Sequence, residues 1–204
     1  MQVVIRLIVA LIFGANLGAL TALWFGGLIS GGPTIGKAID INGWRSDWSI
    51  GSKNANPYVR ARVARNGLLA MRKEEAVYFT KTEDDAGERL REACTYRVSG
   101  DTYPAEWWSI TLYDAQNYLP KNDDGRLSYD QTAADSFYAG GPWNFLVSPS
   151  APSDPSAPWV SSRAGGQFDI MLRLYQPNGD LLDDPTTTLF PPRVERVSCD
   201  GETS

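Results

Sequence analysis

The ten residues from Ala105 to Asp114, AEWWSITLYD, decide how the rest of the chain is understood. Successive side chains of an extended segment point to opposite faces. The adjacent Trp107 and Trp108 therefore cannot enter one core. Trp108, Ile110 and Leu112 share an apolar face and are expected in the core. Trp107, Ser109, Thr111 and Tyr113 share the other face. A period-two pattern rich in aromatic and β-branched residues predicts a strand.

Similar segments lie on either side. EAVYFTKT (75–82) and EACTYRVSG (92–100) precede it, and the turn-rich links EDDAGER and DTYPAE predict an antiparallel meander. WNFLVS and QFDIMLRLY follow the loop LPKNDDG. PPRVERVSC is expected as a last strand at a sheet edge, because proline cannot donate to a ladder. TLYDAQNYL (Thr111–Leu119) and RLYQPNGDLL (Arg173–Leu182) echo each other as strand, Leu-Tyr, polar turn and Leu. Two such units suit a β-sandwich whose sheets are built alike. A helix is predicted from Pro57 to Met71, capped by Asn56, with apolar contacts from Tyr58, Val59, Val63 and Leu69 and a weak point at Gly67. Its Arg60, Arg62 and Arg65 form either a solvated face or a set of contacts to acidic lipid headgroups. Pro149, Pro152, Pro155 and Pro158 recur every third residue, the period of a polyproline II helix. That stretch is either a stiff surface loop or a docking loop ending in Trp159.

Composition bounds the chemistry. The 204 residues, once the apolar N-terminus is set aside, suffice for one domain. A net charge of −5 argues against nucleic acid as a partner, which requires a basic face. Histidine is absent, which removes Ser-His-Asp and Cys-His nucleophiles, His-ligated zinc and any imidazole pH switch. With two cysteines, cysteine-rich metal sites are excluded too. No cofactor and no metal site is expected. KNDDG and DLLDDP are better explained by turn chemistry than by calcium, since neither matches an EF-hand loop.

From Leu7 to Gly36 there is no charged residue, and the apolar part, Leu7 to Ile29, spans 23 residues. About 20 residues cross a bilayer. The alternative is a cleaved signal peptide with Arg6 as its basic start; the apolar run exceeds the usual h-region of about 7–15 residues, and no good cleavage site follows. Residues 1–36 are accordingly expected as a transmembrane anchor and short tether, and residues 37–204 as an exported β-sandwich domain. Charges flanking the span barely decide orientation. Cys94 and Cys199 fit a disulfide in an oxidising compartment, the alternative being two buried thiols. The consistent arrangement is a single-pass protein of the bacterial inner membrane with its C-terminal domain in the periplasm. Ala10, Gly14, Gly18, Ala22 and Gly26 recur at every fourth position, a seam that lets membrane helices approach closely. A homodimer or a membrane-protein partner is expected on that seam.

At WWSITLYDAQNYLP and GGQFDIMLRLYQPNGDLL…PPRVERV the chain resembles the bacterial family known as domain of unknown function 1214. The family pattern is similar: an aromatic-Ser-x-Thr-x-Tyr-Asp strand, a Trp-bearing loop, a Phe-x-x-x-x-Arg-x-Tyr-x-Pro strand and a Pro-Pro-x-Val end. The resemblance runs from Glu75 to Val197 over several segments. It implies a mainly β, antiparallel, jelly-roll-like sandwich with one or two short helices, and it assigns no reaction. In many relatives this domain follows a second uncharacterised β domain, where this chain has a membrane helix and a short helical segment.

If the strands of the two echoing units are neighbours, Trp107, Tyr113, Arg173 and Tyr175 line one amphipathic groove with Asp114 at its rim, and Trp159 stands at the end of the docking loop. Such a surface suits a sugar ring or an anionic headgroup. The bland alternative pairs Arg173 with a carboxylate under a covering loop. Glu106, Asp114, Asp169 and Asp180 could supply carboxylate pairs for a saccharide hydrolase, which requires two at suitable separation. The chain thus fits an envelope binding or assembly module for a glycan, lipid or protein, with the hydrolase as the alternative.

Overall fold

The computed structural model describes residues 2–29, 36–52, 55–65 and 71–200. The chain opens with one apolar helix, α1 (Gln2–Phe25), of 24 residues, none of them buried by the rest of the protein. It is long and apolar enough to cross a membrane. The polar side chains in its middle, Asn16 and Thr21, are satisfied locally. Asn16 Nδ2 donates to Ile12 O at 2.8 Å and Thr21 Oγ1 to Leu17 O at 2.9 Å, which suits an apolar surrounding. The expected tether residues 30–35 lie outside the described residues.

Two sheets follow. β1 (Ala38–Ile41) and β2 (Trp44–Asp47) form a hairpin. Its two linking residues, Asn42 and Gly43, have φ of 53° and 82°, the left-handed conformations that match the twist of flanking strands. β3 (Ala76–Lys81), β5 (Ala105–Asp114), β6 (Ser128–Asp130) and β9 (Phe168–Pro177) complete a six-stranded antiparallel sheet in the order β1-β2-β3-β9-β5-β6. β4 (Cys94–Gly100), β7 (Trp143–Ser148), β8 (Trp159–Ser161) and β10 (Arg193–Cys199) form the second sheet in the order β10-β4-β7-β8, with β7 and β8 parallel.

The meander is not what forms. β3, β4 and β5 fall in alternate sheets, so each connection crosses the sandwich and sets the apolar faces of neighbouring segments against each other. The two echoing strands, β5 and β9, lie side by side at the centre of one sheet rather than one in each. β10, entered through Pro191 and Pro192, is an edge strand as expected.

The core is the space between the sheets. Trp108, Ile110 and Leu112 from β5 and Ile170, Leu172 and Leu174 from β9 meet Tyr96, Val98, Phe145 and Val147 of the other sheet, all buried. Trp108 stacks on Trp143 with ring centroids 4.5 Å apart. Cys94 and Cys199 are disulfide-bonded and register-paired, which ties edge strand β10 to β4. The bond closes a loop of 105 residues, a constraint on the unfolded chain that stabilises by on the order of 4 kcal/mol.

Among the described residues four short helices besides α1 accompany the sandwich where one or two were expected: α2 (Pro57–Arg65), α3 (Gln131–Tyr138), α4 (Gly179–Asp183) and α5 (Pro185–Thr188). The helix predicted over 57–71 is seen as α2; Gly67 and Leu69 lie outside the described residues, and Met71 is not helical.

Candidate functional site

The outer face of the six-stranded sheet is built by strand alternation. The residues of β5 and β9 that do not enter the core are aligned by register with those of β3. Ala76, Tyr175 and Trp107 form one row across the three strands; Tyr78, Arg173 and Ser109 form the next; Thr80, Met171 and Thr111 the third. Trp107, Tyr78, Met171, Arg173 and Tyr175 are half-buried, and Tyr113 extends the patch along β5.

Trp107, Tyr175, Arg173 and Tyr113 are each held by a neighbour. The Trp107 ring centroid is 5.3 Å from that of Tyr175, and its Nε1–H donates to Thr132 Oγ1 of α3 at 3.2 Å. Arg173 Nη1 donates to Thr111 Oγ1 at 3.0 Å. Its Nη2 donates to the Tyr113 hydroxyl, and the guanidinium carbon sits 5.4 Å from the centre of the Tyr113 ring, a cation–π arrangement. These partners are neutral, so a positive charge stands in the middle of an aromatic surface. Burial pushes the Tyr78 hydroxyl pKa up, and nearby Tyr175 acts in the same direction.

The strands thus bring together Trp107, Tyr113, Arg173 and Tyr175. They do not bring Asp114 or Trp159 into the same patch. The Asp114 carboxylate accepts from the backbone N–H of Gln116 and Tyr118, both at 2.9 Å, and shapes the turn after β5. Trp159 opens β8 in the other sheet, opposite Leu146. Tyr78 is the member that the sequence reasoning passes over. The signal for it exists: Val77 and Phe79 flank it as core residues, so Tyr78 must face outward.

Of the carboxylates named for a hydrolase, Asp114 and Asp169 fall at adjacent register positions where β5 and β9 pair, with side chains on opposite faces of the sheet. Asp169 is paired with Arg89 at 2.6 Å. Glu106 is at the opposite end of β5 from Asp114, eight residues or roughly 26 Å along an extended strand. Asp180 lies in α4. In the acidic loop, Arg163 Nη2 holds Asp124 Oδ1 at 2.7 Å and also reaches Asp123, while Ser161 Oγ donates to Asp124 Oδ2 at 2.5 Å. Arg163 holds both carboxyl groups below the usual range. Among the described residues there is no cluster of three or more His, Cys, Asp or Glu that could hold a metal ion. An open cleft of about 750 Å³ lies at the end of the aromatic face, lined by Arg72, Glu74, Glu75, Tyr103, Glu106 and Gln176 among others. Within it Arg72 holds Glu75 below the usual carboxylate range.

The geometry defines a two-sheet β-sandwich with an aromatic, arginine-centred outer face. Residues 75–179, just over half of the chain, match the family described as protein of unknown function (DUF1214), and the chain belongs to that family. It is similar in fold to the VPA0106 protein from Vibrio parahaemolyticus, with a TM-score of 0.54 and 21% identity over 71% of this chain and 36% of that one. An uncharacterized protein from Burkholderia cenocepacia is also similar, at a TM-score of 0.42 and 18% identity over 60% of this chain and 29% of that one. The chain spans about a third of the length of these structures. No curated protein matches it.

Proposed function

We propose that this chain is a membrane-anchored module of the cell envelope whose β body binds a protein partner through the outer face of the six-stranded sheet. The observation that carries this is the patch of Trp107, Tyr175, Tyr78, Tyr113 and Met171 around Arg173. Interface cores are enriched in Tyr, Trp, Met and Arg and poor in Lys, Glu and Asp. The anchor is α1, with residues 1–36 as span and tether and residues 37–204 as the exported body. The Cys94–Cys199 bond suits an oxidising compartment, hence a periplasmic body and a cytoplasmic N-terminus. The seam of Ala10, Gly14, Gly18, Ala22 and Gly26 is the face on which α1 would meet a second membrane helix. Asp114 is taken up by the N–H groups of its turn and Asp169 by Arg89, which lends less support to a saccharide hydrolase.

The test places a photo-crosslinking residue at Tyr78 of the intact chain in native membranes. The expected result is a discrete protein adduct. Trp107→Ala in the same chain should weaken its formation about thirtyfold, the loss typical of a hot-spot aromatic, with the melting temperature of the body unchanged. Adducts to glycan or lipid alone, or a protein adduct indifferent to Trp107→Ala, would overturn the reading.

A further inference from the structure

Between Trp48 and Lys73 the chain carries six basic residues, Lys53, Arg60, Arg62, Arg65, Arg72 and Lys73, and no acidic one, although acidic residues outnumber basic ones 24 to 19 overall. The segment also lies outside the family match of 75–179. The two ends of the segment lie against each other. The Lys73 N–H donates to Gly51 O at 3.4 Å, and the Lys73 ammonium is 4.4 Å from the centre of the Trp48 ring. At this neck Gly51 has φ of 75°, and a Cβ there would meet the carbonyl oxygen of Met71 at 2.6 Å.

Between these ends α2 is seated on the end of α1. The Tyr58 ring stands 5.5 Å from that of Phe25, and Arg62 Nε donates to Phe25 O at 3.1 Å. That contact satisfies a carbonyl left open by the helix end and places a cation at the negative end of its dipole. Val59 and Val63 are buried, while Arg60, Ala61 and Ala64 are exposed. Trp24 packs edge-on against Phe25. Tryptophan and tyrosine gather at the boundary between hydrocarbon and water, so these rings mark the depth at which lipid phosphates begin.

We infer that α2 forms a docking surface for anionic lipid headgroups in the leaflet at the C-terminal end of α1. This rests on α1 spanning the bilayer. α2 itself carries no carboxylate. It is fixed by Arg62 and Tyr58 to the level where headgroups are concentrated, which selects a lipid over a soluble anion. The guanidiniums supply forked donors to phosphate oxygens.

Ala61→Cys supplies a single free thiol, since Cys94 and Cys199 are bonded to each other. The intact chain carrying an environment-sensitive dye at this thiol is reconstituted into nanodiscs of phosphatidylcholine, alone or mixed with phosphatidylglycerol. Emission is expected to rise at least about twofold in the anionic discs, and to fall back in high salt, which screens exposed charges. Arg60→Gln should shift the docked population about fivefold towards the undocked state, the effect of one cation near an anionic surface. Arg60→Lys should retain the signal. Equal emission in both discs, or a rise that survives Arg60→Gln, overturns the docking surface. Co-elution of the chain with the disc is scored separately; a chain that elutes without discs overturns the spanning of α1, and the docking surface falls with it.

Discussion

Lys81 points into the protein. Its side chain is 4% exposed, its ammonium donates to Asn42 O at 2.8 Å and it faces Asp85 Oδ1 at 3.0 Å. Asp85 also accepts from the Val194 N–H at 3.2 Å. One carboxylate therefore neutralises a buried cation and fastens the link after β3 to edge strand β10. Asp85→Ala leaves the ammonium buried with a single carbonyl, and unfolding free energy measured in urea should drop by about 3 kcal/mol. Asp85→Asn, which keeps an acceptor, should cost less; a loss under about 1 kcal/mol in the alanine variant would mean that water reaches Lys81. Nothing in the sequence around Lys81 announces this pair, because its two ends meet through a turn whose geometry is set by tertiary packing. Trp108 is the opposite case. Alternation alone puts it in the core, where it is 3% exposed. Of the partners of Arg173, Tyr113 follows from the shared outer face of the two echoing strands, whereas the Thr111 hydroxyl becomes a donor's partner only once β5 and β9 pair in register.

Elements show the same division. Strong period-two runs predict β3, β4, β5, β7 and β9 within a few residues of their ends. The β1–β2 hairpin carries the Asn-Gly signal at residues 42 and 43, yet its strands have four residues each, too few for periodicity to reveal. α3 is announced only by its ends, with Asp130 Oδ1 accepting from the Ala133 N–H at 2.9 Å and Ala139 left-handed at φ 53° before Gly140. Pairing order was the least legible, since an apolar face does not say which sheet it will serve. α1 offers a clean element-scale experiment. A Cβ built on Gly14 or Gly18 meets nothing within 4 Å in the monomer, so replacing both by leucine should leave the body intact. Self-association of α1 in a membrane two-hybrid assay should be abolished. An unchanged signal would remove the seam as a contact face.

At the scale of the whole molecule, charge and burial fix the response to pH. With no histidine and both cysteines in a disulfide, no titrating side chain has an ordinary pKa between the carboxylates and the tyrosines and lysines. The carboxyl groups that are clearly displaced move down: Asp40 through Arg45, Glu75 through Arg72, Asp123 and Asp124 through Arg163, Asp154 through Ser156 and Asp184 through Thr186. A group whose folded pKa lies below its unfolded one contributes stability above the unfolded value and loses it as pH falls through the folded value. These groups are largely exposed, so each contribution is small and screened by salt. On the alkaline side the order reverses. Burial raises the hydroxyl pKa of Tyr103, Tyr96 and Tyr78, and that of Tyr129 to about 12. Their stabilisation is present below the unfolded tyrosine value and is lost as pH climbs towards the folded one. The denaturant midpoint should accordingly be flat from about pH 5 to about pH 9 and decline on either side. A slope between about pH 6 and pH 7 would contradict this assignment of the titrating groups. Arginine keeps its charge throughout that range, so docking of α2 on anionic discs should be as flat as the stability, and a docking signal that titrates near neutrality would point to a group other than Arg60 and Arg62.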